Sequence, residues 1–445
     1  MQKTIDQQNF YRVFIKYVSL NVLSMIGFSA FILADTFFIA NGIGESGLVA
    51  LNLIIPAYTV VYASSLLIGV GVGTMYSVYR GQGQKHKADA IFTQIFMVGI
   101  ALGLLFTAVG LLFPNQILAV LGAKGDLIPL AYDYTKVVFS FSVAFMINSI
   151  LISMVRNDGH PRLGMTAMLA GSMSNIVLDY IFIFPLKLGM FGAALATGLA
   201  PIIGILVMLP YFIKKNNNFI FVKTKFVFKE IRRVISVGIP TFITEFSSGL
   251  VILLFNLVIL ALQGETAVAA YGIVANLALV LIAIFSGVGQ GIQPIISYNH
   301  GKGNYSPIKK TLRLSLGLTF ILGVLFYTIT MSFPQQIIGA FNKDNSLALY
   351  QTAYEGMRIY FLSFIFTGMN ITIISYFSAK AKARPSFIIS LTRGLILIPL
   401  LLFPLSQLIG INGVWMTIPL VEGLTFVLAV TLLHIERKGM DKGRM

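Results

Sequence analysis

Long apolar stretches alternate with short polar breaks along the whole chain, and within each stretch the hydrophobic residues cover every side of a helix rather than one stripe. That pattern belongs to helices surrounded by lipid and by each other. Residues 46–79, 188–213 and 394–421 contain no charged residue, and each is longer than the roughly 20 residues that a helix needs to cross hydrocarbon. Counting such blocks predicts about twelve spans, beginning near residues 13, 47, 89, 130, 163, 188, 233, 267, 308, 350, 385 and 412. The expected fold is an all-α membrane protein with twelve transmembrane helices.

The breaks alternate in character. Those at 80–88, 156–162, 214–233, 299–313 and 380–384 are basic, and those at 41–46, 114–129, 185–190, 263–266, 334–349 and 407–411 are not. With both termini on the basic side, every Lys and Arg except Lys124, Lys136, Lys187, Lys343, Arg358 and Arg393 falls on one face. The positive-inside rule then makes that face, and both termini, cytoplasmic. The polar start, MQKTIDQQNFYR, has no cleavable signal pattern, so the first helix is expected to stay as a span.

Shifting the sequence by 220 residues lays one half on the other. Gly44-Glu45 falls on Gly264-Glu265, Gly69 and Gly71 on Gly289 and Gly291, Gly81 and Gly83 on Gly301 and Gly303, and Phe113-Pro114 on Phe333-Pro334. With a slip of two residues, Asp133 meets Glu355, Lys136 meets Arg358 and Asn148 meets Asn370; Gly192 meets Gly413 at an offset of 221. Six spans per half is an even number, so the halves share one orientation and a pseudo-two-fold axis along the membrane normal. The expected lobes are 1–213 and 233–445 around a central cleft, joined by a basic cytoplasmic linker, 214–232, read as a solvated connector.

Composition narrows the function. Charged residues make up 11% and hydrophobic ones 57%, so the net charge of +16 is a topological signal and no nucleic-acid partner is expected. There is no Cys, and the four His lie in loops or at a cytoplasmic end. No nucleophile, metalloprotease or phosphate-cradling motif occurs. No loop is long enough for a nucleotide-binding domain. The chain is therefore expected to be neither an enzyme nor ATP-driven, to need no cofactor, and to transport on an ion gradient as a monomer.

A carboxylate in mid-membrane costs about 2.5–3.5 kcal/mol on insertion scales, so each one is a functional candidate. Asp35 in span 1 and Asp179 in span 5 both lie about 8 Å below the outer boundary at 1.5 Å per residue. Ser172, Asn175 and Asp179 share one helical face. Thr197 lies at a comparable depth, and Asn148 somewhat deeper. This oxygen set suits Na⁺ or H⁺ equally. Glu245 in span 7 is a candidate for the substrate's positive charge, while Glu422 in span 12 and Arg393 in span 11 have no evident partners. Asp133 with Lys136, and Glu355 with Arg358, are i,i+3 pairs placed to act as outer gate latches. The 17 Met and 36 Phe suit a cleft for varied lipophilic cations.

The chain resembles the MATE (multidrug and toxic compound extrusion) transporters over essentially its whole length. The resemblance is carried by the duplicated halves, by the Gly-rich ends of spans 2 and 8 running into RGQGQ and NHGKG, by Arg156-x-x-Gly159-x-Pro161, and by the set Asp35, Asn148, Asn175, Asp179 and Thr197. It implies that these five residues hold the coupling H⁺ or Na⁺ while amphipathic, often cationic compounds are exported across the cell membrane. Two features depart from parts of the family: 356–378 contains no acid, and span 1 contains no Pro, leaving Gly27 as its expected soft point. The chain is most similar to the MepA-like, DinF-side branch. Other readings are a lipid-linked saccharide flippase, which would favour a strongly cationic cleft, and an intramembrane enzyme or receptor.

Overall fold

In the computed structural model, residues 10–125, 127–342 and 346–442 are described. The chain runs as α1 (Phe10–Gly42), α2 (Glu45–Gly81), α3 (Lys85–Leu112), α4 (Pro114–Leu121), α5 (Leu127–Ser140), α6 (Ser142–Asn157), α7 (Pro161–Ile183), α8 (Gly189–Ile213), α9 (Phe228–Gly301), α10 (Tyr305–Ser332), α11 (Pro334–Gly339), α12 (Leu347–Tyr360), α13 (Phe364–Ala379), α14 (Ala383–Leu391), α15 (Leu397–Ile409) and α16 (Ile411–Lys442). Among the described residues there is no strand.

Ten of these helical stretches are long and apolar enough to cross a membrane, and the pair α5–α6, bent by 47°, adds an eleventh. The 74 residues of α9 would reach about 110 Å if straight. They do not run straight: Gly264 takes φ 74° and ψ −163°, which breaks the helix into two arms. The same left-handed backbone ends helices at matched places in both halves, at Gly44 and Gly264, Gly83 and Gly303, and Gly189 and Gly410. Glycine fits there because a Cβ would be strained at positive φ.

Close backbone crossings repeat in the same way. A Cβ on Gly81 would lie 2.3 Å from the Tyr298 carbonyl oxygen, and one on Gly301 would lie 2.1 Å from the Val78 carbonyl oxygen. Position 298 is 78 displaced by 220, so the contact is reciprocal, as a two-fold contact must be. The start of α1 (Phe10, Phe14, Tyr17, Val18) packs with Val288, Ile292, Ile295 and Phe377 of the second half, while Val234 and Val237 of α9 pack in the core of the first. Each half lends the other the beginning of its first helix.

Three expectations change here. Gly27 is no soft point: α1 is unbroken, and a Cβ on Gly27 would meet Leu169 Cδ2 at 2.3 Å, so the glycine serves close packing. Arg156 is no loop cation; it is 6% exposed in the last turn of α6 and donates to Gln290 Oε1 at 2.9 Å. The linker is shorter than expected, 214–227, and it is docked. Phe219 is buried against Phe92 (4.9 Å between ring centroids), and Asp158 accepts from Asn218 N at 2.8 Å and from Tyr211 Oη at 2.5 Å. Burial of Phe219, with the exposed Phe221 ring resting against Phe92 and Phe96, outweighs the solvation of the flanking lysines.

Candidate functional site

Membrane helices carry no amphipathic stripe to fix their rotation, so small residues and polar contacts set which side faces which. Along α7 the contact with α8 is close: a Cβ on Gly171 would lie 2.8 Å from the Ala200 carbonyl oxygen. One turn further on, Asn175 and Asp179 point inward, both fully buried. Asp35 of α1, 7% exposed, meets them. The two carboxyl groups lie within hydrogen-bond reach of each other. A hydrogen bond between two carboxyls requires a proton on one of them; with both ionised, Oδ1 of Asp35 and Oδ1 of Asp179 are buried without a donor.

Asn175 holds this pair in register. With its amide turned to satisfy its neighbours, Nδ2 donates to Asp179 Oδ2 at 2.9 Å and Oδ1 accepts from Thr197 N at 3.1 Å. In this orientation Asn175 turns its amide nitrogen toward Asp179 and its oxygen toward the Thr197 backbone. Tyr134 of α5 is buried beside Thr197. Asn148 stands apart and makes no hydrogen bond to the other four among the described residues; its Oδ1 is buried without a partner.

Thr197 and Asn148 both line a cavity of about 880 Å³ with Phe28, Tyr58, Tyr62 and Phe145. Its aromatic wall is ordered: Phe28 stacks on Tyr62 at 5.2 Å and Tyr58 on Tyr62 at 5.9 Å between centroids. Such faces attract cations, more so when water is excluded. The acid pair itself lies behind this wall and connects to it through Thr197.

Glu245, on the first arm of α9, is half-buried and lines two further cavities of about 630 Å³ each, one with Met25, Phe28 and Leu279, the other with Arg156, Gln290 and Ser375. Both cavities draw residues from both halves of the chain. Among the described residues Glu245 has no ion pair or hydrogen bond, and the Tyr58 and Tyr62 rings lie within its field.

Glu422 and Arg393, unpaired on paper, are each other's partner. Arg393 Nε and Nη2 reach Glu422 Oε1 at 2.8 and 2.7 Å, and Asn370 Nδ2 donates to Glu422 Oε2 at 2.7 Å. Opposite signs in neighbouring spans were the available signal for this pair. The outer pairs do not close: Asp133, Glu355 and Arg358 are exposed, and Lys136 instead lies over the Tyr132 ring at 5.0 Å from its centroid. In water an ion pair gains only about 0–1 kcal/mol, too little to hold two free side chains together. Tyr134, Tyr58 and Tyr62 escaped notice because nothing separates them in sequence from the chain's other tyrosines. Among the described residues no three His, Asp or Glu gather as a metal site.

The comparisons agree with this picture. The MatE family profile matches residues 21–181 and 240–403. "Multidrug export protein MepA" of Staphylococcus aureus is 30% identical over 395 residues, covering 87% of this chain and 85% of that protein; the Staphylococcus haemolyticus protein of the same name is 29% identical over 390 residues, 86% and 84% of the two chains. Among solved structures, an outward-facing multidrug resistance MATE family transporter superposes with a TM-score of 0.90 at 21% identity, over 97% of this chain and 96% of that one. A MATE protein in complex with MaL6 gives 0.90 at 20% identity, over 97% of both chains. A multi-pass, all-helical membrane chain with this profile across both halves belongs to the MATE transporter family.

Proposed function

We propose that this protein is a multidrug efflux antiporter of the cell membrane, exporting amphipathic, often cationic compounds in exchange for an inward cation, and that the cation is H⁺. The observation that carries the choice is the close approach of Asp35 and Asp179, buried with acceptor oxygens that have no donor, where one shared proton would relieve the repulsion between the carboxylates. Asp35 and Asp179 hold the proton, Asn175 and Thr197 fix their geometry, and Asn148 lines the drug side of the same wall. Na⁺ remains the competing reading.

In this reading α9 counts as two spans broken at Gly264, giving twelve spans in two six-span lobes, 1–213 and 233–445, related by an axis along the membrane normal. The reciprocal Gly81–Gly301 contact and the matched left-handed glycines support it. Both termini and the docked linker lie on the cytoplasmic face. Glu245, unpaired between the halves, meets the positive charge of the drug, and Asp133, Lys136, Glu355 and Arg358 sit at the outer rim as gate residues that close only in another state. The protein acts as a monomer. Protonation removes the charge that Asp35 and Asp179 present, and the drug leaves because proton and drug favour different states. The flippase reading is not favoured, since Arg156 and Arg393 line different cavities, each beside Gln290 or Glu422, and do not gather into a strongly cationic cleft.

Efflux from proteoliposomes driven separately by a pH gradient and by a Na⁺ gradient tests the proposal. The pH gradient is expected to drive export and the Na⁺ gradient not. Asp35→Asn is expected to cut gradient-driven export about 100-fold, the scale of losing one charge-assisted interaction of roughly 3 kcal/mol. Export by Asp35→Asn that still follows the gradient sinks the assignment.

A further inference from the structure

A cavity of about 670 Å³ lies wholly in the second half of the chain, away from the acid pair; it adjoins one of the cavities that Glu245 lines, sharing Thr244, Ser248 and Leu279 with it, but Glu245 is not in its own lining. Its lining includes both Arg393 and Glu422, with Tyr271, Tyr360, Ser363 and a largely aliphatic remainder such as Leu279 and Ile398. Arg393 sits in a π-helical turn, Thr392–Ile396, between α14 and α15. Such turns are rare and concentrate at functional sites. A close contact seats the turn: a Cβ on Gly394 would fall 2.2 Å from Ser247 Oγ.

The polar atoms that face this cavity are unbalanced toward donors. Arg393 spends Nε and Nη2 on a single oxygen of Glu422, and its Nη1 makes no hydrogen bond among the described residues. The hydroxyls of Tyr271 and Tyr360 are likewise unengaged there, and Ser363 Oγ, on a fully buried residue, has no partner. The one acid, Glu422, is already occupied: Oε1 by the guanidinium and Oε2 by Asn370. A ligand entering the cavity thus finds free N–H and O–H groups and, in the cavity's own lining, no free carboxylate. Its complement is an acceptor with negative charge on an apolar body.

We propose that this cavity binds the carboxylate end of amphiphilic acids or zwitterions, with Arg393 Nη1 and the Tyr360 and Ser363 hydroxyls as donors and Glu422 holding the guanidinium in place. The protein then has two chemically opposite reception sites, aromatic faces and an unpaired acid for cations at the front, and a braced arginine for carboxylates in the second half. Glu422 is a positioning residue here, since it touches the arginine and not the ligand. The site does not depend on which ion drives export, so its test reads binding rather than transport.

The probe is 11-(dansylamino)undecanoic acid, measured by its fluorescence on the purified protein in phosphatidylcholine nanodiscs, against its methyl ester. Wild type is expected to bind the acid at least about 10-fold more tightly than the ester, the scale of hydrogen bonds to a charged group. Arg393→Gln combined with Glu422→Gln removes both charges without stranding either, and is expected to bind acid and ester alike while still binding a dansyl amphiphile with a quaternary ammonium group as wild type does. Competition by phosphatidylglycerol in the nanodisc would assign the anionic ligand to a lipid headgroup, and its absence to a free acid; either keeps the anion chemistry. Equal binding of acid and ester by wild type, or an undiminished preference in the double variant, overturns the proposal.

Discussion

The two halves of the chain share a frame and differ in how they treat charge. In the first half, Asp35 and Asp179 are buried side by side with no cation among their neighbours, leaving acceptor oxygens without donors. In the second, position 255, which matches Asp35 at an offset of 220, is Phe255, fully buried and stacked on Tyr271 at 5.3 Å between centroids. Charge there takes another form, the Arg393–Glu422 pair, already neutralised from within. Asn148 and Asn370 occupy matched places, and both leave Oδ1 buried without a partner, but only Asn370 gives its amide nitrogen to an acid, Glu422. The buried acids of the first half stay open to a cation, whereas in the second half Glu422 is neutralised from within and only Glu245, at the boundary between the halves, is left unpaired.

The sharpest way to break this comparison is to open the closed half. Glu422→Gln strands Arg393, and removing one partner of a buried pair costs about 3–5 kcal/mol. Thermal unfolding of the purified protein should show a large drop in melting temperature for Glu422→Gln, most of it restored in the Arg393→Gln, Glu422→Gln double variant. Asp35→Asn, in the open half, should leave the melting temperature within a few degrees of wild type, since it relieves crowding between two acids. A large drop for both, or for neither, would erase the distinction.

Glu245 belongs to the second half by sequence and to both by position. Glu245→Gln should raise KM for monocationic substrates about 10-fold, the scale of one desolvated charge contact, and leave KM for neutral ones unchanged; parallel losses for both would make it a packing residue. The smallest effect is expected at the rim. Neutralising Lys136 or Arg358 should change export rates less than about 2-fold, because neither closes a salt bridge here and exposed pairs are worth little. A larger effect would show that the latch, when it closes in another state, is shielded from water.

Much of this was legible in advance for one physical reason: hydrocarbon penalises charge. The few acids that it tolerates, Asp35 and Asp179, announced themselves, and helical spacing put Asn175 on their face. The glycine matches likewise foreshadowed the left-handed breaks at Gly44 and Gly264. What could not be read were contacts set by rotation about a helix axis. A chain apolar on every side gives no cue that Tyr134 packs beside Thr197 or that Tyr58 and Tyr62 stack along the cavity wall. The linker misled for a simpler reason. Its lysines dominate the composition, while Phe219 decides its place.

The exchange of helix starts between halves bears on how the molecule is made. Phe10, Phe14, Tyr17 and Val18 are made early, yet residues that bury them, Val288, Ile292 and Phe377, are synthesised about 270 to 370 residues later. Until then the start of α1 lacks these neighbours, so the first half cannot mature as a finished unit ahead of the second. Assembly closes by returning to its own beginning, since helices of the second half complete the packing of the first.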